Sequence, residues 1–468
     1  MPTFAPGTLA TWTGGRWTDQ PAGPLAGFTM DTRQLRAGQV FVALKTDKRD
    51  GHEFLPAAEA AGASAALVAA ANPALALPQL VVADPLAAFQ AIAREHRRQF
   101  HGLVIGISGS AGKTSTKNLL ALLLGGESGG VLATEGNLNN HLGVPLTLTR
   151  LDPALHKFAV IEAGISAPGE MKTLAAMIEP DLALITLVGA AHTAELGGLD
   201  GVAREKAALP AAIRPSGVAI FPKQCAQFAA FQDMFVNQLV LERSAVLRPA
   251  TQPRHTIQFN VLQRAGETVI VIAYGPPPPA MFKLPRVTDG MAQNAALALT
   301  AALYLGVAAD LLHSRLAAWS AAPLRGEIRR EDGRLLYLDC YNANPASMAD
   351  ALATFQAIAP ANEPRLYVLG CMEELGAEAA MHHRALGRSL NLRDGDRLLV
   401  MGTHANDVCA GVLEQGDFRR QIQIVSALET IAAVLAGWRG AVFVKGSRRY
   451  QLERALAPGA VPQEAAHA

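Results

Sequence analysis

The stretch Leu103-Val-Ile-Gly-Ile-Ser-Gly109-Ser110-Ala111-Gly112-Lys113-Thr114-Ser115 decides the reading of this chain. Its first six residues make a short, β-branched buried strand, two glycines follow, and apolar residues then recur with helical periodicity as far as Leu123. A strand that enters a glycine loop and opens a helix lets backbone N–H groups at the helix N-terminus cradle phosphates. Lys113 then reaches the terminal phosphate, and Thr114 adds a hydroxyl to magnesium. The spacing departs from a full Walker A motif, because Ile107 stands five residues before Gly112 where that motif has glycine. A plain glycine turn accounts for the glycines alone, whereas the lysine and the preceding strand favour a phosphate site of ATP or GTP type.

Working outward, Phe158-Ala-Val-Ile-Glu162, Leu182-Ala-Leu-Ile-Thr186 and Val218-Ala-Ile-Phe221 read as further buried strands of one parallel sheet. The alternation in Thr268-Val-Ile-Val-Ile-Ala-Tyr274 marks an antiparallel excursion between about Leu239 and Phe282, before a helix starting near Asp289. The prolines Pro276 to Pro279 read as a turn or sheet edge. Upstream, strands at residues 40–44, 65–69 and 80–83 with a helix after Phe54 make a small α/β unit, followed by an amphipathic helix from Leu86 to Phe100. After Ala321-Ala-Pro-Leu-Arg325 the pattern resets, with strands at Leu335, Arg365, Arg397 and Ala441 alternating with helices. The expectation is an α/β protein of three domains: a small N-terminal α/β module at 1–84, a central P-loop ATPase with a mostly parallel sheet at 85–322, and a Rossmann-like doubly wound domain at 323–468. Val461 to Ala468 reads as a frayed tail.

A phosphate site needs a divalent cation, held by hard oxygens or an imidazole at neighbouring strand ends. Glu162 closes one strand and His192 follows another, so both belong at the carboxyl edge beside the loop. Taken singly, a strand-end Glu is often a cap and a lone His a satisfied polar group. Composition narrows the partners: 41 basic against 40 acidic residues give no sign of a nucleic-acid or membrane-surface protein. Four widely spaced cysteines without a C-x-x-C pair exclude a disulfide framework and a structural zinc site. The opening Met1-Pro-Thr-Phe-Ala-Pro6 lacks a signal peptide's basic and apolar regions, and no apolar run approaches the ~20 residues that span a bilayer. A soluble, cytoplasmic protein without membrane insertion is expected.

Together, the glycine loop, Asn137-Leu-Asn139-Asn140-His-Leu-Gly-Val-Pro145, Glu162, His192 and Lys206 resemble the Mur ligases, which build the bacterial cell-wall precursor. Tyr341-Asn342-Ala-Asn344-Pro-Ala-Ser347-Met348, Gly370-Cys-Met372-Glu-Glu374-Leu-Gly376 and Lys445-Gly-Ser-Arg448 resemble blocks of the family's dipeptide-adding branch. Asp31-Thr32-Arg33, Gly38 to Leu44 and Asp50-Gly51-His52 are similar to its nucleotide-sugar-binding module. The likeness runs from about Asp31 to Arg454, in order.

The resemblance implies an ADP-forming ligase of peptidoglycan synthesis, and hence of cell shape and division, with ATP and magnesium as cofactors. Its partners are UDP-N-acetylmuramoyl-tripeptide and D-alanyl-D-alanine, and a monomer is expected. It also implies the residue roles. Catalysis falls to Lys113, Lys206 and His192; ATP binding to Gly109–Ser115, Asn294, Tyr341 and Asn342. Substrate binding falls to Asp31, Thr32, Arg33, Asn137, Asn139, Asn140, Asn344, Lys445 and Arg448, and magnesium to Thr114, Glu162, His192 and a carbamylated Lys206. Spacing alone makes Lys206 an exposed helical lysine, and turn chemistry alone accounts for the asparagines.

Departures cluster around adenine recognition and the peptide end. The family's H-N-x-x-N is here Gly290-Met291-Ala-Gln-Asn294, its N-x-D is Pro222-Lys223-Gln224, its G-A-N-H is Gly164-Ile-Ser-Ala167, and its G-D-M is Gly370-Cys371-Met372. Two other readings follow from these residues. A single-amino-acid ligase is one, although the D-N-P-R block of diaminopimelate enzymes is absent; a non-catalytic paralogue that binds nucleotide-sugar is the other, opposed by the intact lysine and metal set.

Overall fold

The computed structural model describes residues 2–247, 256–264, 266–331 and 333–456, so the expected frayed tail lies outside the described residues. Three sheets follow one another along the chain. The first has five short strands, β1 (Arg16–Trp17), β2 (Phe28–Thr29), β3 (Val40–Val42), β4 (Ala65–Val68) and β5 (Gln79–Val81), in the order β1-β5-β4-β3-β2. Only the β1–β5 pair is antiparallel. The wholly apolar β3 and β4 are buried on both faces, as parallel strands covered on two sides require.

The second sheet has nine strands: β6 (Leu103–Ser108), β7 (Val131–Ala133), β8 (Phe158–Glu162), β9 (Leu182–Ile185), β10 (Val218–Pro222), β11 (Asn237–Arg243), β12 (Thr256–Gln263), β13 (Glu267–Ala273) and β14 (Ala280–Pro285). Their order is β14-β13-β12-β11-β10-β9-β6-β8-β7. Pairing is parallel from β7 through to β12, then antiparallel through β13 and β14; the antiparallel excursion is therefore present but begins at β12 and not near Leu239, because β11 still pairs in parallel with both β10 and β12. The strand of the phosphate loop, β6, is central, with β8 and β9 as its parallel neighbours. Register sets Ile107 opposite Glu162 and Ser108 opposite Ile185. The chain therefore leaves all three strands on one edge, where ligands bind in open parallel sheets.

The third sheet holds β15 (Glu327–Glu331), β16 (Arg334–Asp339), β17 (Arg365–Gly370), β18 (Arg397–Met401), β19 (Ile422–Ile424) and β20 (Ala441–Lys445), ordered β15-β16-β20-β17-β18-β19. All pairs except β15–β16 are parallel, and separate apolar cores cover its two faces. This is the doubly wound arrangement expected. Among the described residues no helix is long and apolar enough to cross a membrane, and the four cysteines are free.

Helix Pro85–Arg98 joins the first unit to the second. Asp84 caps it by accepting from Leu86 N and Ala87 N, with Pro85 in the first turn where its missing N–H costs nothing. Phe89 and Ile92 enter the first core while Ala93 enters the second. The fully buried Arg97 guanidinium donates to the carbonyls of Ile178 (2.8 Å) and Glu179 (2.7 Å) and pairs with Asp181 at 3.0 Å. Burial lowers its pKa to about 10, with Asp181 opposing the fall.

Candidate active site

The glycine loop is shaped by close approach. Gly109 (φ 150°) and Gly112 (φ 78°) both sit in backbone that side chains rarely adopt. A Cβ on Gly109 would collide with the Thr186 hydroxyl, and one on Gly112 with the Asn294 amide. Ser110 closes the loop against the segment after β9: its N donates to Leu187 O (3.0 Å), its hydroxyl donates to Gly189 O (2.9 Å), and Gly189 N donates back to it (3.0 Å). Thr186 Oγ1 donates to Ala111 O. Gly112 is then the N-cap of helix Lys113–Leu124, which offers free N–H groups and no side-chain cap of its own. Ser115 lies in the first turn.

Lys113 Nζ donates to Gly109 O at 2.9 Å. Burial lowers its pKa, Glu162 counteracts that fall and Arg325 reinforces it. Glu162, at the end of β8 and 1 % exposed, accepts on Oε1 from Asn139 Nδ2 (2.7 Å) and Thr114 Oγ1 (3.2 Å). Its second oxygen, Oε2, is buried without a hydrogen-bond partner. An unpaired buried carboxylate oxygen beside a phosphate loop fits a cation, because no hydrogen bond offsets that oxygen's desolvation. Among the described residues no three or more His, Cys, Asp or Glu side chains are grouped to hold a metal ion. Glu162 and Thr114 would hold a magnesium ion here, and substrate phosphate and water would supply its remaining oxygen ligands.

Lys206 is 3 % exposed within helix Gly198–Ala211, not the solvated lysine that spacing alone predicts. Burial, and then the charge of Lys113, holds its pKa well below the ordinary value, against weaker opposition from Cys225 and Glu205. His192, the left-handed residue (φ 55°) before the one-turn helix Thr193–Leu196, places Nδ1 2.6 Å from Glu374 Oε2 of the third unit.

Two of the asparagines keep local roles. Asn140 Oδ1 accepts from Leu142 N and Gly143 N, while Asn137 is exposed. Asn344 is the N-cap of helix Pro345–Ile358, completing a capping box with Ser347. Its Nδ2 also donates to Ser110 O at 3.2 Å, so the third unit touches the phosphate loop directly. Tyr341 is stacked beneath Arg325, whose Cζ stands 3.8 Å from the ring centroid, with Arg448 at 5.8 Å. Asn342 is exposed, and its Oδ1 accepts from Ala343 N. Lys445, 1 % exposed, gives its ammonium to Asp339 Oδ2 (2.6 Å) and to the carbonyls of Asp339 and Asn342 (3.4 and 3.2 Å), and so fixes the Tyr341 loop from beneath. Arg448 pairs with the buried Glu453. Asp31, Thr32 and Arg33 lie apart in the first unit, where Asp31 caps a short turn and pairs with Arg33 at 2.7 Å.

The departures acquire physical causes. A Cβ on Gly290 would stand 2.6 Å from Asp350 Oδ2, which accepts from Gly290 N at 2.9 Å. A carboxylate of the third unit therefore caps helix Asp289–Tyr304 of the second, and Gly290 is the residue that admits it. Gly290→Ala is expected to displace Asp350 and remove a charged hydrogen bond of roughly 1.5–3 kcal/mol. Small-angle scattering should then read a larger radius of gyration, and an unchanged radius rejects the latch. Gln224 binds both backbone groups of Val188, just before Gly189. A Cβ on Gly164 would stand 3.0 Å from the Asn139 amide carbon. Cys371 is buried, its thiol pushed up to about 11 by desolvation.

Sequence reasoning missed Arg325. It follows Leu324, a buried leucine at φ 60° whose left-handed backbone aims the next side chain over Tyr341. Its charge reaches Lys113. Arg325→Ala should lower kcat by about 10²-fold or more, the scale of losing one preorganised cation at a reacting phosphate, with little change in melting temperature. Wild-type kcat in that variant rules out a phosphate role.

Comparison with known proteins places this geometry. Residues 24–97 match the catalytic domain described for the Mur ligase family, 107–302 the Mur ligase middle domain, and 324–448 the Mur ligase glutamate ligase domain. The UDP-N-acetylmuramoyl-tripeptide--D-alanyl-D-alanine ligase of Escherichia coli K12 is 33% identical over 434 residues, 92% of either chain. The chain belongs to the Mur ligase family. This Mur ligase superposes on MurF from Acinetobacter baumannii with a TM-score of 0.84 at 27% identity, over 97% of its own length and 98% of the other's. The Thermotoga maritima MurF ligase in complex with ADP gives 0.77 at 25% identity, over 92% and 96%. The α/β, three-unit Mur ligase architecture expected from sequence is thereby borne out.

Proposed function

We propose that this Mur ligase joins D-alanyl-D-alanine to UDP-N-acetylmuramoyl-tripeptide, converting ATP to ADP and phosphate. The observation that carries the proposal is the contact of three elements at one point: the glycine loop with Lys113, the buried Glu162 with its unpaired oxygen, and the third unit's Asn344 on Ser110. A non-catalytic binding protein has no use for two lysines whose charged forms are both disfavoured, near a buried carboxylate oxygen without a hydrogen-bond partner, each of which costs stability.

The γ-phosphoryl group of ATP passes to the terminal carboxylate of the tripeptide, and ADP leaves. The peptide then carries an acyl phosphate. Lys113 and Arg325, with the N–H groups that open helix Lys113–Leu124, bind the negative oxygens of the transferring group. Glu162, Thr114, His192 and, in carbamylated form, Lys206 would hold magnesium, which would supply charge neutralisation on the phosphates. The burial that favours a neutral Lys206 amine also favours its reaction with carbon dioxide. The dipeptide amine attacks the activated carbonyl, phosphate departs, and the amine loses a proton. Asn344 seats the third unit on the loop and helps keep water from the acyl phosphate, Tyr341 and Asn342 contact ATP, and Arg448 binds the substrate. Asp31, Thr32 and Arg33 bind the UDP end, and Asn137 and Asn140 the peptide. The same proposal includes a monomer acting in the cytoplasm.

The decisive experiment measures phosphate release from ATP, magnesium and UDP-N-acetylmuramoyl-tripeptide, with and without D-alanyl-D-alanine. Release that depends on the dipeptide supports the proposal. Binding of the UDP precursor without release for any acceptor overturns it in favour of a scaffold.

A further inference from the structure

His192 and Glu374 meet across the interface of the second and third units, although neither the phosphate chemistry nor packing calls for that contact. The Glu374 side chain is 56% exposed, and an ion pair so open to water adds little stability. Its direction is nevertheless fixed on every side. Glu374 takes a left-handed backbone (φ 63°), and Gly376 (φ 57°) lies so close to the helix Thr193–Leu196 that a Cβ would stand 2.7 Å from Ala194 Cβ. On the other side, Glu373 is bound by Tyr450 Oη and by Arg449 at 3.2 Å. Met372 N donates to Nε2 of the wholly buried His383, whose Nδ1 donates to Ala379 O at 2.7 Å. The loop is built to present one carboxylate to one imidazole.

The chemistry of imidazole gives that contact a use. When Nδ1 carries the proton and donates it to a carboxylate, Nε2 is left as the lone-pair nitrogen and the ring is held in one orientation. We infer that Glu374 is a positioning residue: by docking on His192 Nδ1 it selects the tautomer and ring orientation that present Nε2 to the divalent cation, so the cation is bound tightly only when the third unit is docked. Cation affinity and domain docking are then linked, and each raises the other by the same factor. The inference rests on the reading of His192 as a cation ligand of the ligase.

The test titrates purified full-length protein with Mn²⁺ in the presence of ADP, by electron paramagnetic resonance, and follows the radius of gyration by small-angle scattering. Glu374→Ala is expected to weaken Mn²⁺ about 10- to 100-fold, the usual effect of losing a ligand's outer hydrogen-bond partner. Glu374→Gln, whose amide oxygen still accepts from Nδ1–H, should recover part of the loss. Gly376→Val leaves Glu374 intact but forces the loop off Ala194, and should weaken Mn²⁺ to a similar degree with an enlarged radius. His192→Ala sets the floor. Wild-type affinity in Glu374→Ala, or an indifferent His192→Ala, overturns the inference. Either result leaves the ligase reading standing, because that reading fails on a different measurement, the absence of dipeptide-dependent phosphate release by wild-type protein.

Discussion

Lys113→Ala is expected to lower the rate of dipeptide-dependent phosphate release by about 10³-fold or more while leaving the melting temperature unchanged or raised. The two halves of this expectation have one cause. Lys113 is half-buried, and its charged form is disfavoured by desolvation and by Arg325, with Glu162 the opposing influence. Its one hydrogen bond among the described residues is to Gly109 O, within its own loop. Deleting it therefore removes a desolvated cation and breaks no contact between elements. During phosphoryl transfer the balance inverts, because negative charge on the moving group restores the partner that the free protein lacks. Preorganised charges of this kind are worth 10² to 10⁵ in rate at reacting phosphates. A steady-state assay with saturating ATP reads the effect, and a variant retaining a tenth of wild-type kcat removes Lys113 from the reaction.

The loop that carries this prediction was legible because everything that makes it is local. Leu103 to Ser108, the two glycines and the following helix are one continuous segment, and the strand ends at Glu162 and after Thr186 follow from parallel pairing alone. The strands that escaped reading were short or charged. Two-residue β1 and β2 and three-residue β7 and β19 carry no periodicity, and β15, Glu-Ile-Arg-Arg-Glu, is an edge strand written in salt-bridging residues. The site's remaining parts are long-range. Asp350 reaches a backbone N–H sixty positions away at Gly290, Glu374 reaches His192 from another unit, and Arg325 depends on a strained leucine. No pattern in the local sequence encodes such contacts. Gly290 illustrates the difference: in sequence it is a lost side chain of an adenine motif, and in the fold it is the space that a capping carboxylate needs.

Lys206→Met should separate stability from function in the opposite direction to an ordinary core mutation. Lys206 is 3 % exposed, and among the described residues no hydrogen bond or ion pair reaches its amine; burial and Lys113 hold its pKa well below the ordinary value. Below the unfolded value the unfolded chain takes up a proton more readily than the folded amine, so the lysine costs stability there. The cost is largest below the folded pKa, falls as pH rises through the interval, and vanishes above the unfolded value of about 10.4. Methionine matches its length without the amine, so in buffer free of carbon dioxide the variant is expected to melt higher than wild type, with a gain that shrinks as the pH is raised toward 10. Ligase activity should fall by about 10²-fold or more, because methionine cannot form a carbamate or bind magnesium through oxygen. A lower melting temperature across this range shows that the amine has a stabilising partner, and wild-type turnover shows that its chemistry lies outside the reaction. Retaining a buried lysine without a hydrogen-bond partner among the described residues, against its cost in stability, is explained if the amine is used: a carbamate there would turn an ill-placed cation into an oxygen ligand for a magnesium ion held by Glu162.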